Sequence, residues 1–143
     1  MLGGFKMIFR SKCKIYYESF NFLLKDYGYK ITSKNTKEGL WYSYFLLSKE
    51  NFPDIKIEIE KGYLIVLVQI SENNQWSLGE LYKFLHHNKI VKCDFSNVKS
   101  IKNSFEKITR KYLDEVLENM NRIENNKIEQ FYAEFPKYVF VWS

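Results

Sequence analysis

The sequence predicts an α+β fold: a four-stranded antiparallel meander with an N-terminal helix and C-terminal helices packed on one face. Three stretches carry that expectation. Between Asp54 and Glu60, the residues Ile55, Ile57 and Ile59 alternate strictly with charged ones, the period-2 mark of a strand with one wet and one buried face. After the break Lys61-Gly62, the run Tyr63 to Val68 is apolar on both sides and rich in β-branched residues. It reads as the second strand of a hairpin, lying inside the sheet. From about Asn97 the chain has its longest periodic stretch, with Ile101, Phe105, Ile108, Tyr112, Val116, Met120 and Ile123 each three or four residues after the last. That spacing predicts a helix of roughly seven turns.

The remaining elements follow in chain order. From about Lys12 to Tyr27, the positions Tyr16, Phe20, Leu23, Leu24 and Tyr27 form an apolar stripe, and Gly28 is a natural left-handed stop. Tyr29 to Lys34 alternates as a first strand, and Asn35 to Gly39 is a polar turn. The aromatic stretch Leu40 to Ser48 supplies the second strand, and Asn51 to Asp54 turns the chain into the hairpin. Ser71 to Asn74 breaks the strand pattern. Ser77 and Glu80 then have the spacing of a capping box, with Trp76 and Leu81 at the positions of a hydrophobic staple, so a helix starts here and runs to about His87. Ile90 to Phe95 reads as a short extended segment. On the long helix Lys107, Arg110 and Lys111 come early and Asp114, Glu115 and Glu118 late, a polarity that opposes the macrodipole. Asn125-Asn126 is expected to interrupt it. A short helix through Ile128, Phe131 and Tyr132 follows and Pro136 stops it, while the apolar tail Tyr138 to Trp142 should dock, as an edge strand or against the helices.

A length of 143 residues fits a single domain with its own core, and 45% hydrophobic with 27% charged residues excludes wholesale disorder. The net charge of +5 favours acidic partners in general, nucleic acid, membrane surface or protein. The cations are nevertheless dispersed: Lys6, Arg10, Lys12 and Lys14 at the start, then Lys102, Lys107, Arg110 and Lys111. Cys13 and Cys93 are far apart, in no metal-ligand spacing, and read as small core residues that a reducing compartment leaves as thiols. The opening MLGGFKMIF is interrupted by Lys6 and falls short of a signal segment or membrane span, so the expected location is the cytoplasm, with no membrane partner.

Candidate chemistry is sparse. His86 and His87 are adjacent, so on a helix their rings point about 100° apart and do not converge on one metal. Helix-end capping accounts for them, although His86, His87, Cys93 and Asp94 together are the one constellation from which an enzyme of unrecognised type could be built. Asp54, Glu58 and Glu60 share one strand face about 7 Å apart, material for paired-carboxylate chemistry, but Lys56 sits among them as on any solvated face. No nucleophile elbow and no glycine-rich phosphate cradle is present. The expectation is therefore no catalytic residue, no metal and no cofactor. In Leu40 to Ser48, alternation sets Tyr42, Tyr44 and Leu46 on one face and Trp41, Ser43, Phe45 and Leu47 on the other. One of these faces can be left free for a partner. The strand itself holds no Lys or Arg and the RNA-binding aromatic motif is missing.

In outline, the helix, four-stranded meander and C-terminal helices in an aromatic-rich chain resemble the small immunity proteins that bacteria encode beside polymorphic toxins. No diagnostic motif carries that likeness. It implies a non-enzymatic domain that binds one cognate toxin tightly, one to one, and blocks its working surface. Exposed aromatics beside acids would be the anchors: Trp41, Tyr42, Tyr44, Glu58 and Glu60. The net positive charge runs against an acidic blocker. The rival reading is a nucleic-acid-binding or regulatory module using the basic N-terminal segment and the start of the long helix, with steep salt dependence as its mark. Oligomeric state is left open by the sequence.

Overall fold

The computed structural model describes residues 16–86 and 105–134. The segment expected at 90–95, the first turns of the long helix, the tail Tyr138 to Trp142 and both cysteines lie outside them.

The fold is α+β, with five strands rather than four. They are β1 (Lys30–Asn35), β2 (Tyr42–Ser48), β3 (Ile55–Glu60), β4 (Tyr63–Ser71) and β5 (Asn74–Ser77). All are antiparallel and pair in sequence order, a meander. The additional strand comes from residues expected to be a break and a helix entrance. β4 runs on to Ser71, turns over Glu72-Asn73 and pairs with β5 at Leu67↔Ser77, Val68↔Trp76 and Gln69↔Gln75. Tyr63 to Val68 thus lies inside the sheet, as its two apolar faces require.

Helical residues 16–20 (α1) and Phe22–Lys25 (α2) replace the single N-terminal helix, with a turn at Asn21, whose carbonyl accepts from the amides of Leu24 at 3.0 Å and Lys25 at 3.1 Å. Gly28 ends it as expected. At φ +77° it lets the chain turn so that the Tyr29 amide reaches back to the Leu23 carbonyl at 3.1 Å, six positions earlier. α3 (Leu78–His86) opens with the predicted capping box: the Ser77 amide donates to Glu80 Oε1 at 3.2 Å, and the Glu80 amide to Ser77 Oγ at 3.1 Å.

The long helix ends earlier than its periodicity implies. α4 (Glu106–Glu118) ends at Asn119, a 3₁₀ turn (Met120–Arg122) follows, and α5 (Asn125–Glu134) begins at the residues expected to interrupt it. The reason is local: the Asn119 side-chain amide donates to the Glu115 carbonyl at 2.7 Å, occupying an acceptor at the helix end. Its backbone leaves the helical region at φ −111°, ψ 19°.

One sheet face carries the core. Phe45, Ile55, Ile57, Ile59, Leu64 and Val68 are buried in the same cluster as Phe20, Leu23, Leu81 and Leu113 of the helices. Phe20 stands 5.0 Å from Phe45, which seats α1 on β2. At the other end α5 is fastened to α3 and β5: Trp76 stacks on Tyr132 at 5.7 Å and 17°, Trp76 Nε1 donates to Asn125 at 2.8 Å, and the Tyr132 hydroxyl donates to the Glu80 carbonyl at 2.7 Å. No helix among the described residues is long and apolar enough to cross a membrane.

Candidate functional site

The opposite sheet face, here the outer face, follows from the register. Antiparallel partners point to the same side with Cβ atoms about 5 Å apart. Tyr42 pairs with Glu60, and Glu60 with Tyr63, giving a first row of Tyr42, Glu60 and Tyr63. The next row is Asn35, Tyr44, Glu58 and Ile65, and the one after is Ser33, Leu46, Lys56, Leu67 and Ser77. Four of the five residues expected to bind a partner, Tyr42, Tyr44, Glu58 and Glu60, therefore share one face in two adjacent rows.

Trp41 departs from expectation. Strict alternation sets it with Ser43 and Phe45, on the core side. It actually precedes β2 and is 65% exposed, while Ser43 and Phe45 are buried. Its place is set by the β3–β4 turn, in which Lys61 (φ +51°) and Gly62 (φ +82°) both take positive φ, the type I′ hairpin geometry. The Lys61 amide donates to the Trp41 carbonyl at 2.9 Å and the Gly62 amide to the Leu40 carbonyl at 2.8 Å. From the core side the Tyr16 hydroxyl donates to the Gly62 carbonyl at 2.5 Å. The turn is thus held to both α1 and the chain entering β2. Trp41 comes to rest beside the first row, with Lys61 Nζ 5.7 Å from its ring.

The charges on this face are unequal in character. Lys56 Nζ lies 2.9 Å from Glu58 and 5.0 Å from the Tyr44 ring centre. The hydrogen bond to Glu58 holds the Lys56 ammonium above the ordinary lysine range against the opposing effect of burial, with Tyr42 adding to it. Tyr42 and Tyr44 are themselves in ring contact at 6.2 Å. At the outer end Glu60 and Lys61 are exposed and Tyr63 is 48% exposed. Tyr63 was not among the expected binding residues; its signal was the two-residue hairpin, which sets it directly across from Glu60.

The three-carboxylate face does not assemble. Asp54 precedes β3 and its charge acts on the Tyr29 hydroxyl, while Glu58 is engaged by Lys56. His86 is likewise structural in its contacts. Its Nε2 pairs with Glu115 of α4 and its ring lies 4.3 Å from Tyr82, which in turn meets Tyr112 at 3.9 Å. His87, Cys93 and Asp94 lie outside the described residues, and among those described no group of three potential metal ligands occurs. Of the basic positions, Lys6, Arg10, Lys12, Lys14 and Lys102 are also outside. Arg110 is committed to Asp26 and Glu106 and lies 4.6 Å over Phe22. Lys83 is a feature that periodicity missed: it is buried on α3, and desolvation lowers its pKa. One hollow is lined by Phe84, Leu85, Asn121, Arg122 and Lys127; another, lined by Gly28, Lys30, Thr32, Ser48, Lys49 and Glu50, lies at the end of β2 remote from Tyr42 and Glu60.

Set against known proteins, the chain matches no family model, no curated protein and no solved structure.

Proposed function

We propose that this chain is a non-enzymatic protein-binding domain whose contact surface is the outer sheet face around Trp41, Tyr42, Tyr44, Glu58, Glu60 and Tyr63. The observation that carries it is the juxtaposition of two cross-strand rows of tyrosines and acids with an exposed tryptophan at their end. Large, stiff amphipathic rings give contact area at small cost in side-chain entropy, and they dominate binding energy where they gather at interface centres. The face suits a protein better than a phosphate backbone. Around these residues Lys56 and Lys61 are offset by Glu58 and Glu60, and both lysines already lie over rings, Lys56 over Tyr44 and Lys61 over Trp41. Nucleic acid is held chiefly by uncompensated cations. In the form implied by the immunity resemblance, the domain works in the cytoplasm by one-to-one occlusion, covering the working surface of a toxin without chemistry of its own.

Capture from host lysate tests this when wild type is compared with surface variants. Wild type is expected to retain one stoichiometric protein through a high-salt wash. Trp41→Ala with Tyr63→Ala should lose it, and Lys127→Ala, on the distant surface of α5, should keep it. Retention indifferent to the Trp41 and Tyr63 changes, or nucleic acid released by salt, would remove the reading.

A further inference from the structure

We infer that Glu60, set between Tyr42 and Tyr63, is the seat for a basic side chain, Arg or Lys, presented by the protein partner. The inference deepens the protein-binding reading and rests on it.

Two acids of β3 point to the outer face, and they are in opposite states. Glu58 is half-buried and ion-paired with Lys56 at 2.9 Å. Glu60 is exposed, and among the described residues it has no ion pair or side-chain hydrogen bond. Its lack of a partner is not for want of a lysine. Lys61 is its neighbour in sequence, but the positive-φ turn directs that ammonium over the Trp41 ring instead, 5.7 Å from its centre. Lys56, two strand positions back on the same face, is held by Glu58 and Tyr44.

Glu60 is flanked on both sides by tyrosines in register, Tyr42 on β2 and Tyr63 on β4. Aromatic rings present negative faces, so a carboxylate between two rings attracts a cation from three directions and repels an anion. The same pairing of ammonium with ring recurs in the molecule, with Lys56 over Tyr44 on this face and Lys49 Nζ 4.2 Å from the Phe52 ring centre at the other end of the sheet. In the first row the acid and the rings are present and the cation is the missing member. A guanidinium satisfies both parts at once, donating two parallel N–H bonds to the carboxylate and stacking on a ring. Glu60 is exposed and Tyr63 is 48% exposed, so a small cation seated there stays open to water on one side. A cation carried by a protein surface that also covers Trp41 and Tyr44 is desolvated, and there the interaction is strong.

The test is an NMR titration of the full chain with the blocked tripeptide acetyl-Gly-Arg-Gly-amide, against the same peptide with citrulline, which keeps the shape and removes the charge. The arginine peptide is expected to shift the Tyr42, Glu60 and Tyr63 amides and to bind about two- to threefold tighter than the citrulline peptide, the modest preference of a seat still open to water. Glu60→Gln should erase that difference, and Glu118→Gln, on α4, should leave it intact. Equal response to the two peptides, shifts centred elsewhere, or a Glu60→Gln variant that still prefers arginine would each overturn the inference. The broader reading is separated by the captured partner. Should Trp41→Ala with Tyr63→Ala abolish capture while Glu60→Gln weakens it less than about threefold, the face is the interface and the cation seat is not part of it. A loss of about tenfold or more on Glu60→Gln supports the seat.

Discussion

Gly62 does its work through backbone conformation more than through space. At φ +82° an L side chain is in the left-handed region, and a Cβ built there would meet only the Tyr16 hydroxyl, at 3.8 Å, an ordinary contact. The expected cost of Gly62→Ala is therefore conformational strain, about 1–2 kcal/mol, with no steric clash added. Urea denaturation measures it; a loss well above that range would mean that the change also breaks the Tyr16 bond to the Gly62 carbonyl. The same turn explains how much of the site the sequence reveals. Alternation along Ile55 to Glu60 reports faces faithfully, because a paired strand has only two sides, and it puts Glu58 and Glu60 together. It cannot report which of two nearby lysines neutralises which acid. That depends on the positive φ of Lys61, an unusual conformation for lysine, and on the amide bond that draws Trp41 to the turn.

At the level of elements, local signals were legible and tertiary ones were not. The capping box at Ser77 and Glu80 and the stop at Gly28 are contained in a few consecutive residues, and both form as the letters imply. β5 is only four residues long and its pattern of polar residues around Trp76 resembles a helix entrance. It becomes a strand because β4 offers an unpaired edge and because α5 supplies Tyr132 to cover the Trp76 indole. This predicts coupling across elements distant in sequence. In a double-mutant cycle of Trp76→Ala and Tyr132→Ala, the two changes together should cost about 0.5–1.5 kcal/mol less than the sum of the single ones, the usual worth of an aromatic pair beyond its buried area. Strict additivity would show that β5 and α5 do not support each other. The break at Asn119 is of the same kind: apolar spacing continues through it to Ile123, and a side chain bonding to its own backbone decides otherwise.

For the molecule as a whole, the tyrosines that bind the layers together set a limit on alkaline stability. Burial raises Tyr27, Tyr29, Tyr82 and Tyr132 above the ordinary tyrosine range, and nearby carboxylates at Asp114, Asp54, Glu115 and Glu80 reinforce the shift. Tyr29 is the clearest case, 2% exposed, its hydroxyl donating to the Pro53 carbonyl at 3.1 Å, its pKa pushed up to about 12 from 10.0. Because the folded pKa lies above the unfolded one, the folded chain keeps this proton at a pH where the unfolded chain has released it. Stability must then fall with rising pH. The contribution is whole below about pH 10 and is lost towards pH 12, on the order of 2–3 kcal/mol for Tyr29 alone. Tyr29→Phe should therefore be less stable than wild type near neutrality, by about 1 kcal/mol for the lost hydrogen bond, yet decline less steeply above pH 10. Urea unfolding followed across that window distinguishes the two slopes, and parallel curves would exclude Tyr29 as a source of the alkaline loss. The outer-face tyrosines are placed differently. Tyr63 is half exposed and carries no hydrogen bond or ring contact among the described residues, so its hydroxyl faces water and not a neighbouring layer. The two populations of tyrosine thus differ in what they touch: Tyr27, Tyr29, Tyr82 and Tyr132 tie elements of the fold to one another, and those around Glu60 are the ones the proposed interface would use.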